Sequence, residues 1–159
     1  MPKHGKVAYA EISVFAHATE DPEKVMQATK NLFPNMQEKM KLASTEMQGH
    51  HGNIILSIKG ELVREDTLEA LDLLLTQLST LDEDGFRREF PTHIDPKGSL
   101  YLRLDKQQAF QGRVSLGTND PISLKVRLGF KPKSLDELKV HLEKNKRSGK
   151  GDRRIGQRT

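Results

Sequence analysis

The chain contains no cysteine. That excludes disulfides, thiolate nucleophiles and the usual cysteine-built zinc sites. Aromatic residues make up only 5% of the 159 residues, too few for an obvious stacking platform of the kind that reads single-stranded bases. No apolar run reaches the length of a membrane span, so none is expected. The opening MPKHGKVAYAEISVF has neither an apolar h-region nor a small-residue cleavage site. No secretory signal is therefore expected, and the cytoplasm is the expected location. Metal-ligand spacing is lacking too. His4, His17, His93 and His141 are scattered, and the adjacent His50 and His51 would point to opposite sides of an extended chain. No acid cluster, nucleophile–base pair or pocket is visible, so no catalytic residue, metal or cofactor is expected and an enzyme is not.

What is present is charge, unevenly placed. The formal net charge is +4. Residues 1–96 carry 10 Lys/Arg against 16 Asp/Glu, residues 97–133 carry 8 against 2, and the tail from Lys144 carries 7 against 1. Such segregation suggests a polyanionic partner for the later part of the chain.

The length fits one domain with a real core. Residues 7–16 alternate as a strand, with Ala8, Ala10, Ile12, Val14 and Ala16 on one face and Tyr9, Glu11, Ser13 and Phe15 on the other. A helix follows, capped by Asp21 or Thr19, with Pro22 in its first turn, a stripe of Val25, Ala28 and Leu32, and Pro34 as its stop. The acids of TED (19–21) suit that helix N-terminus. Residues 41–47 predict a strand leading into GHHGN (49–53). The next strand, Asn53 to Leu62, is expected to bury Ile54, Leu56 and Ile58. The leucines at 68, 71, 74, 75 and 78 predict a helix from about Arg64 to Thr80. Residues 82–94 are polar and read as a short helix or loop. DEDG (82–85) reads as a turn, because a calcium loop needs a fuller ligand spacing and a terminal glutamate. DPKG (95–98) is a second turn. SLYLRLD, GRVSLG and ISLKVRLGF then read as strands, the second with Val114 and Leu116 inward. Ser134 and Glu137 form a capping box for a last helix with Leu135, Leu138 and Leu142 inward. About six one-sided strands and three main helices imply an α+β domain. It is a mainly antiparallel sheet with helices packed on its apolar face, over residues 1–143, followed by a basic tail at 144–159.

The outward positions of the later strands collect Tyr101, Arg103, Arg113, Lys125 and Arg127. If the strands are neighbours, these side chains make a basic face that would bind phosphates, with one aromatic to meet a base; otherwise they are a solvated face with charges paired across strands. The tail, with Lys150, Arg153 and Arg154, would follow a phosphate backbone or simply solubilise the chain. GHHGN reads as a structural hairpin loop whose glycines and Asn53 tolerate positive φ, with RNA contact at the rim as a secondary role.

AEISVFAHATEDPEKV (10–25), GHHGNIILSIKGEL (49–62) and DPKGSLYLRLDKQQAF (95–110) together resemble an archaeal RNA-binding family described as a predicted exosome subunit, over about residues 6–143. The resemblance implies a fold similar to the ribosomal protein that grips 5S rRNA. It also implies a non-catalytic RNA-binding role in the exosome or in processing of stable RNA. The matching motif positions are His50, His51, Asn53, Arg103, Lys106 and Gln107. Lys106 would meet RNA or pair with an acid. The expected partners are structured RNA and an exosome or ribosome protein, with a homodimer as a further possibility. The alternative is a protein-interaction subunit docking through its acidic N-terminal two-thirds, or through an apolar patch at Tyr9, Phe15 and Ile55, with RNA contact limited to the tail.

Overall fold

In a computed structural model of the protein, residues 8–36, 38–63 and 65–145 are described. The alternating segment near the N-terminus forms β1 (Tyr9–Ala16), whose inward Ala10, Ile12, Val14 and Ala16 are almost fully buried. Asp21 caps α1 (Pro22–Asn31) by accepting the Glu23 N–H at 3.0 Å. The chain then returns through β2 (Ala43–Gln48), a short 3-10 turn (His50–Gly52) and β3 (Ile54–Val63). Helices α2 (Glu65–Thr76), α3 (Thr80–Arg88) and α4 (Phe90–His93) lead to β4 (Ser99–Leu104). After it come α5 (Lys106–Phe110), β5 (Ile122–Arg127) and a last helix, α6, over residues 135–145.

The five strands form one antiparallel sheet in the order β2-β3-β1-β5-β4. Its inner face packs on the helices. Ile12, Ile58, Leu100, Ile122 and Leu124 meet Val25, Leu32, Leu71, Leu74, Leu135 and Leu138 in one cluster. The α+β reading with a one-sided sheet therefore holds.

Several local expectations are corrected. The helix expected at 64–80 is shorter, since α2 ends at Thr76 and a separate helix begins at Thr80. Main-chain bonds from Gln77 to Leu74 and from Leu78 to Leu75 tighten the end of α2, and Ser79 then caps α3 by accepting the Asp82 N–H at 3.1 Å. DEDG accordingly lies inside α3 and not in a turn. This segment is also less polar in effect than in composition, since Phe86 and Phe90 are fully buried and meet edge to face at 5.7 Å. GRVSLG is not a strand. Only Leu116 bridges to Leu104, because α5 takes up the chain between them. Ile54 is 53% exposed, whereas Ile58 on the same strand face is at 0%. The β2–β3 hairpin runs out past the helices, and all six residues of β2 are exposed. Lys144, placed with the tail, continues α6, and the rest of the tail from 146 lies outside the described residues.

The two sheet edges differ. Single bridges from Ile94 and Leu116 cover the outer side of β4, while β2 has a pairing partner on one side only. Short covered edges resist unwanted strand pairing.

Phe86→Ala should cost about 3–5 kcal/mol by opening a cavity among the helices. Leu81→Ala, in the same helix but 79% exposed, should change stability by no more than about 0.5 kcal/mol. Urea unfolding of the two variants checks the difference.

Candidate nucleic-acid interface

Because side chains alternate along a strand, register decides which residues share the uncovered face. One row across the sheet runs Lys59, Ser13, Ser123 and Arg103, from β3 through β1 and β5 to β4. The next row runs Glu61, Glu11, Lys125 and Tyr101. A third runs Val63, Tyr9, Arg127 and Ser99. The basic strands β4 and β5 are thus neighbours. The first two rows floor a concavity of about 830 Å³, with Lys39 and Lys41 on its β2 side. Lys59 and Arg103 are the two cations of this row, three strand spacings apart, roughly 14 Å at 4.7–4.9 Å per strand. Two lines of cations therefore flank a floor of serine hydroxyls, with Glu11 and Glu61 side by side in the neighbouring row.

Tyr101 is fixed from below. Asp95, in the DPKG turn, accepts the N–H groups of Lys97 and Ser99 and the Tyr101 hydroxyl, the last at 3.0 Å. The Ser99 N–H above all, with the other two donors, holds the Asp95 carboxyl below the ordinary carboxylate range against partial desolvation. Burial, and the hydrogen bond given to Asp95, push the Tyr101 phenol up. Lys125 Nζ lies 5.9 Å from the centre of the Tyr101 ring, a loose cation–π arrangement. Gly98 closes the turn at φ 87°, and a Cβ there would sit 2.8 Å from the Phe130 carbonyl oxygen. Arg127 is half-buried, and its Nε is buried with no hydrogen-bond partner from the described residues.

The structure separates other residues from this face. Arg113 is exposed in the turn after α5, where its N–H donates to the Gln108 carbonyl, and is not on a strand. Gln107 lies in α5 beside a groove against α1. His51 and Asn53 are exposed in the β2–β3 hairpin, at the sheet edge opposite β4. The loop is built by its backbone. The Gly49 N–H donates to the Asn53 carbonyl at 2.7 Å, and His51 and Gly52 take φ of 65° and 76°. His50 begins the 3-10 turn. Lys150, Arg153 and Arg154 lie outside the described residues.

Lys106 is a correction. Its side chain is 11% exposed, and its ammonium donates to the Phe15 carbonyl (2.8 Å), both Glu20 oxygens (3.2 Å each) and Asp120 (2.7 Å). Asp120 also faces His17 Nε2 at 3.0 Å. Those bonds engage the Lys106 ammonium inside the protein, so it is not offered to a phosphate. His17, Glu20 and Asp120 each present a ligand atom within 4.8 Å of the others, but the space beside the two carboxylates is where the Lys106 ammonium binds. The two carboxylates are its counter-charges, and His17 is a further partner of Asp120. Sequence reasoning missed this cluster because its members are spread over about a hundred residues. It also missed Lys59 as part of the basic face, since alternation put Lys59 outward but only register placed it in the row with Arg103.

With this geometry in view, comparison identifies the chain. It belongs to the family described as RNA binding, whose model matches residues 9–128. It is 32% identical over 123 residues to "RNA-binding protein PAB1135" of Pyrococcus abyssi, covering 76% of this chain and 79% of that protein. Among solved structures, protein SSO0741 of Sulfolobus solfataricus is 27% identical with a TM-score of 0.67, over 88% of this chain and 98% of that one. Mth689, a DUF54 protein of Methanothermobacter thermautotrophicus, is 26% identical with a TM-score of 0.63, over 87% and 96%. No helix among the described residues is long and apolar enough to cross a membrane.

Burial alone would raise the Asp120 pKa, but the hydrogen bonds from Lys106 and His17 outweigh it and hold the carboxyl low. A folded-state value below the unfolded one gives stability that is complete above the unfolded value, about 3.9, and is lost as pH falls through the folded value. Asp120→Asn should therefore lower the melting temperature at neutral pH, and the difference should begin to shrink as the pH drops below roughly 4 and close only below the folded-state value. Thermal melts by circular dichroism across that range check it.

Proposed function

We propose that the protein is a non-catalytic RNA-binding accessory factor that grips the backbone of structured RNA on the open face of its sheet. The observation that carries this is the pairing of β4 with β5, which sets Arg103, Lys125 and Tyr101 on one uncovered, concave surface, with Arg127 in the row beyond it. Lys59 and Lys41 oppose them across the floor. Guanidinium and ammonium groups at two margins suit two phosphate lines, and such contacts position RNA without reading its sequence. Scarce aromatics on this face favour a structured partner over a stacked single strand. The basic tail, with Lys150, Arg153 and Arg154, is a second element of the same sign, and His50, His51 and Asn53 form a rim contact at the far edge. Membership of an RNA-binding family and likeness to a protein named for RNA binding support the reading. Work in the exosome or in processing of stable RNA and kinship with the fold that grips 5S rRNA rest on the motif resemblance, and a cytoplasmic setting rests on the sequence reading; these complete the proposal.

A second reading has one specific observation behind it. Among the described residues the outer edge of β2 is unpaired, and Met47 on that strand and Phe15 on the same sheet face of β1 are exposed. This side of the sheet suits a protein partner, either an exosome or ribosome component or a second copy of the chain.

Arg103→Ala combined with Lys125→Ala should weaken RNA binding with the fold unchanged. Removal of residues 146–159 should weaken it further and uniformly across sequences. On single-stranded RNA the logarithmic salt slope should fall by about 0.7 for each phosphate that is no longer neutralised. Affinity titrated against salt checks both, and unchanged affinity in both variants would move the function to the β2 side.

A further inference from the structure

A second recess lies away from the sheet face, between α1 and α5. Its volume is about 350 Å³, at the small end of ligand-sized sites. Val25 and Ala28 contribute its apolar floor, and Phe110 a wall. Phe110 is 45% exposed, an unusual place for a large ring that burial would stabilise. Its position is held tightly. The Asn31 side-chain amide donates to the carbonyls of Ala109 and Phe110 at 3.0 and 3.2 Å, and Gln27 donates to Asn31 at 2.8 Å. At its other end α5 is capped by Asp105, which accepts the Gln108 N–H at 2.8 Å. The ring thus lines a preformed groove.

Three polar groups surround it. Gln107 and Gln111 are exposed, line the groove and stand one helical turn apart, so both amides reach the same side. Lys24 Nζ lies 6.0 Å from the centre of the Phe110 ring. An amide offers both a donor and an acceptor, which complements the edge of a nucleobase. An apolar floor and wall give a bare phosphate nothing, and Glu20 and Asp21 at the same groove disfavour a free anion. The groove also adjoins the sheet. Lys106, which lines it, donates to the carbonyl of Phe15 where β1 ends, three residues on from Arg103.

We propose that this groove seats one unstacked nucleobase of the RNA, its face on Phe110 and its edge toward Gln107 and Gln111. This rests on the RNA-binding reading above and adds a base-recognising seat to a surface that otherwise meets backbone. Structured RNAs present such bases in loops and bulges.

The test uses the full chain and two RNAs of equal length, a hairpin with an unpaired loop carrying 2-aminopurine and a fully paired duplex. Affinity is read by anisotropy and stacking by 2-aminopurine quenching. The natural chain should prefer the hairpin and quench the probe. Phe110→Leu should bind the hairpin about tenfold more weakly, abolish the quenching and leave duplex affinity and melting temperature unchanged. The paired Gln107→Ala and Gln111→Ala variant should weaken the hairpin in the same selective way. Equal weakening on both RNAs, or none, overturns the base seat and leaves the groove to a peptide or to no ligand. Arg103→Ala with Lys125→Ala weakens both RNAs if the sheet reading holds, so the seat can fail alone. No binding of either RNA by the natural chain overturns both.

Discussion

The register between β5 and its two neighbours is the constraint on which the rest depends. Lys125 and Arg127 alternate with Leu124 and Val126, and each inward residue is buried. A slip of one residue would drive two cations into the core and turn two apolar side chains to water. Burying an unpaired charge is far more costly than exposing a leucine, so the apolar face specifies the register and the basic face follows from it. The same alternation in β1 and β4 then aligns Ser13, Ser123 and Arg103 in one row. The candidate interface is in this sense the reverse side of the core.

A second anchor sits at the end of that row. Lys106 joins the end of β1, the turn before α1 and the turn before β5 through Phe15, Glu20 and Asp120. Its near-burial makes the geometry worth more than a surface ion pair, which contributes little. Because these bonds are made by the first residue of α5, they also orient that helix against α1. The motif residue that looks most like a phosphate ligand thus serves to place Phe110 and Arg103 relative to each other.

How far this was legible follows from the range of each interaction. Strand faces in β1, β4 and β5, the Asp21 cap, the DPKG turn and the Ser134 cap, whose hydroxyl accepts the Glu137 N–H at 3.1 Å, are local and read directly. The adjacency of β4 and β5 was needed for the basic face but is a long-range fact, which alternation does not contain. GRVSLG failed as a strand because its alternation matched Val114 and Leu116, whereas the signals that matter lie before it and at its first residue. Asp105 caps α5 and Gly112, at φ 81°, follows its end. Residues 82–94 read as polar, yet Phe86 and Phe90 supply core from inside them. Ile54 alternated correctly but is exposed at the start of β3, where the paired residues of β2 are exposed as well. The Lys106 cluster had no local signature at all.

The segregation of charge along the chain becomes a pattern in space. The acid-rich first part contributes Glu11 and Glu61, which oppose each other directly across β1 and β3. Like charges so placed are unfavourable, and Lys125 beside Glu11 offsets only part of that. An acid pair next to basic margins weakens attraction for any polyanion lying flat over the whole floor. It favours one whose phosphates follow Lys59 and Arg103 while hydroxyls or base amines meet the carboxylates. Ribose 2′-hydroxyls are donors of that kind and DNA lacks them. On the proposed reading the two glutamates, which reduce the net charge of the face, disfavour DNA relative to RNA, and replacing both with glutamine should raise affinity for DNA more than for RNA of the same length.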